Sequence, residues 1–210
     1  MYWLKSLPRT QLGAALLALI LSMAFLGDAT AFTMPPLFKG LDKTQDVLDA
    51  DAEFVADALK NHGNDPVRAA ERWIDFGWEA INAVDGEAAV RRLNQAFLIR
   101  PDAPGIRYGL MIATHVRGDP PEVTDELYEL AVGVMSEDDV HIAHMDYAMI
   151  VAERGELEQA ITIVRREADT ESPDIGSLEF LARLCNATGD SQCFEETMER
   201  FQSRRLEVGQ

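Results

Sequence analysis

The chain has 210 residues, 26% of them charged, and a formal net charge of −17 at pH 7. This acidity argues against nucleic acid as a partner, because phosphate binding needs clustered Lys and Arg and the sequence contains no such stripe. An anionic membrane surface would repel the chain for the same reason. The charge favours solubility, and attraction of a basic partner is the sharper alternative.

The first 31 residues have the layout of a signal peptide. Lys5 and Arg9 precede an uncharged apolar run at residues 12–26, and alanines follow at positions 29 and 31. The run is shorter than the roughly 20 residues that a membrane-spanning helix needs. Small residues at the two alanine positions suit the pocket of a signal peptidase.

We therefore expect cleavage after Ala31 and a periplasmic or secreted product with no stable membrane insertion. The alternative is an uncleaved inner-membrane anchor that leaves residues 32–210 facing the periplasm. Removal of residues 1–31 changes the formal charge from −17 to −18, because two basic residues and one acidic residue are lost. Both outcomes export the rest of the chain.

Residues 32–48 contain Pro35, Pro36 and Gly40 among scattered apolar side chains. This composition predicts an extended leader segment rather than a packed helix. Apolar residues then recur at helical spacing over about residues 49–61. We expect this stretch to be a half repeat that caps the N-terminal end of the structure.

A period of about 34 residues follows the leader segment. Laid from residue 70, a 34-residue frame places residues at the spacing typical of stacked helical hairpins, namely Trp73, Phe76, Gly77, Ala80, Ala89, Leu93, Ala96 and Pro101. The same frame laid from 104, 141 and 175 puts a glycine at one equivalent turn, namely Gly118, Gly155 and Gly189. One hairpin cannot bury its apolar face alone, so several must stack.

The hairpins have recognisable boundaries. Asp65 and Pro66 suit a helix start, because Asp accepts free amide hydrogen bonds and Pro lacks a donor that would have no partner there. The expected pairs of helices span 66–84 with 87–100, 106–116 with 121–135, and 140–154 with 157–168. A fourth hairpin is expected from about residue 173 to residue 202, which leaves a polar tail at residues 203–210.

These spacings make residues 50–202 resemble the tetratricopeptide superfamily. Within them, residues 73–78 and 91–97 together with Pro101 are similar to a group of short exported bacterial repeat proteins of poorly defined function. The resemblance implies an all-α, right-handed α-solenoid of a half repeat plus about four repeats over residues 49–202. Such a solenoid has an open concave surface that commonly binds other molecules.

Cys185 and Cys193 are the two cysteines of the chain, and they flank the predicted turn of the last hairpin. In an exported protein we expect a disulfide between them, which would restrain the terminal hairpin. Two buried free thiols are the alternative. The spacing matches neither a Cys-x-x-Cys redox pair nor a zinc site.

The concave surface is expected to be lined by the fifth and ninth residues of each first helix. In the first three hairpins these positions form a predicted groove, namely Ile74, Trp78, Tyr108, Ile112, Met145 and Met149. Aromatic rings give a large contact area and Met adapts its shape, so the groove suits an apolar or amphipathic segment of another protein. The last hairpin has Glu179 and Arg183 at these positions.

The alternative for the groove is that the chain covers it, with residues 34–41 or the C-terminal helix folded over the first helices. The related repeats that bind a C-terminal carboxylate use Lys, Asn and Arg in these positions, and this sequence lacks them before Arg183. Recognition of chaperone tails is therefore not expected. We expect instead an adaptor or assembly factor of the bacterial cell envelope.

A metal or small-ligand binding protein is the second functional hypothesis. His141 and His144 share a helix face, and the nearby Met145 and Met149 would suit copper. Against this, His144 occupies a position where the repeat expects a packing side chain, so we expect no metal and no other cofactor. We expect no enzyme either, because the sequence shows no nucleophile beside a His and an acid and no Gly-rich phosphate loop.

Overall fold

The computed structural model describes residues 33–170 and 173–208, and within these ranges the protein is all-α. A 3₁₀ turn at Pro36–Phe38 precedes nine α-helices, and no strand occurs in the described ranges. The helices are α1 (Gln45–Asn61), α2 (Pro66–Asn82), α3 (Gly86–Ile99), α4 (Pro104–Arg117), α5 (Pro121–Val132), α6 (Glu137–Glu153), α7 (Leu157–Ala168), α8 (Ile175–Thr188) and α9 (Ser191–Val208). The predicted signal peptide at residues 1–31 lies outside the described residues.

Helix ends follow the local sequence. The Asp65 carboxylate accepts hydrogen bonds from the backbone N–H groups of the first turn of α2 at 2.9 and 3.2 Å, and Pro66 is the first helical residue. Asp174 caps α8 in the same way. Gly118 and Gly189 follow α4 and α8 with φ of 80° and 76°, a left-handed conformation that favours glycine. These signals were readable in the sequence.

The helices pack as successive antiparallel pairs. Helices α2 and α3, α4 and α5, α6 and α7, and α8 and α9 form the closest pairs, and each pair contacts the next along the chain. First helices of neighbouring pairs also touch, since α4 contacts both α2 and α6. One continuous set of buried apolar side chains runs through these pairs. The predicted all-α class and its helical-repeat character are confirmed.

Leu93 of α3 shows why small residues recur in the repeat. A Cβ atom added to Gly77 of α2 would lie 2.7 Å from Leu93 Cγ, and one added to Gly109 of α4 would lie 3.0 Å from Leu93 Cδ2. Leu93 is fully buried. Its side chain therefore occupies the space that two glycines leave open, and it joins the first pair of helices to the second.

The first and last helices are longer than the sequence pattern predicts. Helix α1 begins at Gln45, whose amide donates to Asp49 at 2.8 Å, whereas the helix was expected from residue 49. Helix α9 continues through the predicted polar tail to Val208. The guanidinium of Arg204 donates to the Pro173 carbonyl at 3.3 Å, so the last turns contact the connection before α8. Polarity marked an exposed helix face here rather than a helix end.

The predicted pairing of the cysteines is confirmed. The Sγ atoms of Cys185 in α8 and Cys193 in α9 lie 1.93 Å apart, and their Cα atoms are 5.7 Å apart. Both side chains are buried. The bond joins the two helices of the last pair near the turn that connects them.

Candidate functional site

A row of side chains crosses the first helices of three successive pairs. The rings of Trp78 in α2 and Tyr108 in α4 lie with their centroids 5.3 Å apart and tilted by 49°. The Tyr108 hydroxyl donates a hydrogen bond to the carboxylate of Asp146 in α6. Burial raises the pKa of Tyr108, and the bond to Asp146 raises it further, so the phenol stays protonated and remains a donor. We call these three residues the aromatic–acid row.

A second row lies further along the same two helices. His115 Nε2 of α4 is 2.8 Å from Glu153 Oε2 of α6. His115 follows Tyr108 by seven residues, and Glu153 follows Asp146 by seven, which is about two helical turns in each helix. Because both rows pair residues in the same order, α4 and α6 run in the same direction side by side.

The six residues of the predicted groove keep part of their surface in contact with solvent. Met149 is 43% exposed, and the other five, Ile74, Trp78, Tyr108, Ile112 and Met145, are half-buried. These five also pack against the buried core. Their inner atoms therefore hold them in place while their outer atoms form an apolar surface.

Met145 lies at one border of this surface. It lines a cleft of about 340 Å³ together with residues of α6, the end of α7 and the start of α8. His141 and Glu167 are among the residues of that cleft. Met145 therefore also borders α8, in a cleft whose lining includes several acidic side chains.

The two histidines of the metal hypothesis have different environments. His144 is 8% exposed, its Nδ1 lies 2.8 Å from the Tyr128 hydroxyl, and the two rings pack edge to face. Burial lowers the pKa of His144, so the imidazole is neutral at physiological pH. His141 is exposed. Among the described residues, no group of three or more His, Cys, Asp or Glu side chains is arranged to hold a metal ion.

The leader segment is held by a buried amide on a second helix. Asn94 of α3 is fully buried. Its side chain donates to the Pro35 carbonyl at 2.9 Å and accepts the Leu37 N–H at 2.8 Å. The side chain of Leu37 packs against the core. Main-chain groups of the leader segment are thus satisfied by Asn94 rather than by water.

Two cations make further contacts of the leader segment, before and after the residues that bond to Asn94. Arg117 donates to the Met34 carbonyl at 2.9 Å and also contacts the carboxylates of Asp119 and Glu87. Burial acts to lower the pKa of Arg117, but these two carboxylates more than offset it and the pKa is raised. Lys39 forms an ion pair with the carboxylate of Glu126 in α5.

These polar contacts of residues 34–39 involve α3, α5 and the end of α4, and none of their partners belongs to the predicted groove. The contacts of the leader segment therefore differ from those expected if residues 34–41 covered the groove.

Helix α9 packs along α8, where Glu179 and Arg183 form an exposed ion pair. Those two residues line an open cleft of about 700 Å³ with apolar residues of both helices.

Two comparisons, with protein families and with curated proteins, found no match. Function has to be inferred from the surface itself.

Two polar residues of this region, Asp146 and Asn94, are not indicated by the sequence pattern that predicts the groove. The sequence does not single out Asp146, because its bond to Tyr108 depends on how two first helices lie beside each other. Asn94 gave no signal, because a polar residue at its position in the second helix predicts exposure to solvent. The leader segment helps to bury Asn94. It is bent there, and Leu37 and Phe38 both have φ of 53°.

Proposed function

We propose that this protein is an exported protein–protein interaction module that binds an apolar or amphipathic segment of another protein on the face formed by α2, α4 and α6. Its role would be that of an adaptor or assembly factor in the bacterial cell envelope. The observation that carries the proposal is the aromatic–acid row of Trp78, Tyr108 and Asp146, which crosses three first helices and remains partly exposed.

The proposed fold is a right-handed α-solenoid of the tetratricopeptide type. Its support is the 34-residue spacing, the packing of helices in successive pairs, and the parallel course of α4 and α6. In such a solenoid the first helices line the concave side. The face that carries the groove residues would then be a concave surface wide enough for a helix or an extended segment.

Export is proposed from the N-terminal sequence and the cysteines. Residues 1–31 have the layout of a signal peptide with cleavage after Ala31, and the cysteines lie at disulfide distance, which suits an oxidising compartment. Within residues 33–170 and 173–208, no helix is both long enough and apolar enough to span a bilayer. The proposed location is the periplasm or the exterior, with an inner-membrane anchor as the alternative.

The chemistry of the groove favours a protein segment as its occupant. Partly exposed aromatic rings can bury a large area at a low entropic cost, and the flexible thioethers of Met145 and Met149 fit varied side chains. Residues 34–39 make their polar contacts elsewhere than on the groove face. This arrangement favours a separate partner over coverage by residues 34–41, and the proposal involves no catalysis.

The test is site-specific photocrosslinking in intact cells from a probe at Ile112. A matched probe at Glu129, an exposed residue of the second helix α5, is the control. We expect a distinct protein captured from Ile112 only, and we expect its capture to be lost in Trp78→Ala while the helicity of the protein is retained. Equal capture from both probes, or capture that survives Trp78→Ala, would contradict the proposal.

The metal hypothesis gains no support that would make it a second candidate function. His144 uses Nδ1 to bond Tyr128 and packs within the core, whereas His141 lies at the surface. Retention of copper or zinc by a purified sample after dialysis, with loss of the metal in His141→Ala, would support the metal hypothesis.

A further inference from the structure

We infer that the aromatic–acid row binds a basic side chain, so that the segment recognised by the groove is a basic amphipathic helix. This inference rests on the proposed function and names the chemistry of its partner. Trp78 and Tyr108 offer two ring surfaces at a centroid distance of 5.3 Å, and Asp146 places a carboxylate at the edge of the second ring. An Arg or Lys side chain can use rings and carboxylate together.

The carboxylate has capacity for a further donor. The Tyr108 hydroxyl bonds Oδ2 of Asp146. An ionised carboxylate offers about four acceptor positions over its two oxygens, so Oδ1 can accept from an ammonium or guanidinium group. The hydroxyl also fixes the orientation of the carboxylate, because Tyr108 is itself held between the core and the Trp78 ring. The acceptor is therefore positioned before a partner arrives.

The second row repeats the acidic character at a defined spacing. Glu153 contacts His115, and its side chain is still 67% exposed. It lies seven residues from Asp146, which corresponds to about 10 Å along α6. Ile112 and Met149 occupy the turns between the two rows. A matching partner helix would present basic side chains two turns apart with apolar side chains between them.

The charge of the whole chain favours the same partner. A net charge of −17 attracts basic segments and repels acidic ones, which raises association rates at low salt. The groove residues of the first three pairs are apolar or aromatic. They include no clustered basic side chains that could favour an acidic segment. Long-range charge alone is not selective, so the local role of Asp146 has to be tested separately.

The test uses three fluorescent 18-residue helical peptides with one apolar stripe and either Lys, Gln or Glu at two positions seven residues apart. Binding to the purified exported protein is measured by anisotropy at low and moderate salt. We expect the Lys peptide to bind about tenfold more tightly than the Gln peptide and the Glu peptide to bind weakest. We expect added salt to reduce this advantage.

The decisive variant is Asp146→Asn, which removes the charge and keeps an acceptor for Tyr108. It should lower the affinity of the Lys peptide to nearly that of the Gln peptide. Glu195→Gln on the exposed surface of α9 changes the net charge equally and should leave the affinities unchanged. Equal binding of the Lys and Gln peptides, or equal effects of the two variants, would overturn the inference.

Trp78→Ala distinguishes a failure of the basic-helix inference from a failure of the proposed function. If Trp78→Ala abolishes binding of all peptides while Asp146→Asn has no effect, the groove binds amphipathic segments without preference for a basic side chain. If no peptide binds the unaltered protein, the basic-helix inference is wrong. The crosslinking at Ile112 then decides separately whether the groove binds any protein.

Discussion

Among single residues, Asn94 links two distant parts of the chain. Its buried amide forms hydrogen bonds with main-chain partners 57 and 59 residues away in sequence. Asn94→Ala would leave the Pro35 carbonyl and the Leu37 N–H without their partner. Each buried group left unsatisfied costs about 1–3 kcal/mol. Because the leader segment is short, it can detach and regain hydrogen bonds to water, so we expect local release rather than global unfolding.

Release can be measured by limited proteolysis and hydrogen exchange at residues 34–44. We expect Asn94→Ala to speed cleavage and exchange there at least tenfold and to leave exchange in α6 and α7 unchanged. Asn82→Ala, at the exposed end of α2, is the matched control and should have little effect. Unchanged protection of residues 34–44 in Asn94→Ala would contradict the role assigned to this amide.

His144 predicts a pH dependence of stability. Burial lowers its pKa in the folded protein below the ordinary value of 6.5. As the pH falls below 6.5, the unfolded chain takes up a proton before the folded chain does. This residue therefore contributes a loss of stability of at most about 1.4 kcal/mol per pH unit, from 6.5 down to the folded pKa.

His144→Gln keeps a polar partner for the Tyr128 hydroxyl and removes the titration. In urea unfolding at pH 8 and pH 5.5, the unaltered protein should lose more free energy of unfolding than the variant. The acidic residues of the chain titrate in both proteins, so their contribution cancels in the comparison. Equal losses in the two proteins would show that His144 does not carry this dependence.

At the scale of helices, the start of α3 contacts the main chain at the end of α4. A Cβ atom added to Gly86 would lie 2.5 Å from the Arg117 backbone nitrogen and 2.6 Å from its Cα. Backbone cannot move aside as a side-chain end can, so Gly86→Ala should cost about 1–3 kcal/mol. The same change would displace Arg117, whose guanidinium holds the Met34 carbonyl.

Gly105→Ala is the matched control for this prediction. Its added Cβ would lie 3.7 Å from the nearest atoms of Ile74, an ordinary contact, and Ala favours a helix over Gly by up to about 1 kcal/mol. Chemical denaturation should therefore show a loss for Gly86→Ala and no loss for Gly105→Ala. A neutral Gly86→Ala would mean that α3 and α4 are further apart at this point.

Much of the element order could be predicted from the sequence, for physical reasons that are local. Asp65 with Pro66 and the turn glycines set helix ends through hydrogen bonds within a few residues. The path of the leader segment depends on Asn94, which is distant in the chain, and the length of α9 depends on a contact with Pro173. The pairing of Tyr108 with Asp146 likewise required the packing of two helices to be known.

At the scale of the whole molecule, stability should be distributed along the chain rather than shared by one central core. Each pair of helices contacts mainly its neighbours. In such an arrangement the free energy of unfolding is close to a sum of terms for each pair and each interface. The last pair has a neighbour on one side only, so it depends most on its own covalent bond between Cys185 and Cys193.

Replacement of both cysteines by Ala tests this distribution. The closed loop spans eight residues in sequence separation, and its loss should cost about 2–3 kcal/mol in the chain-entropy description. We expect hydrogen exchange in the double variant to rise in α8 and α9 and to stay unchanged in α2 and α3. The unaltered protein under reducing conditions should behave like the double variant. A uniform rise across all helices would instead show one cooperative unit, in which a partner bound at α2 to α6 would also stabilise the C-terminal pair.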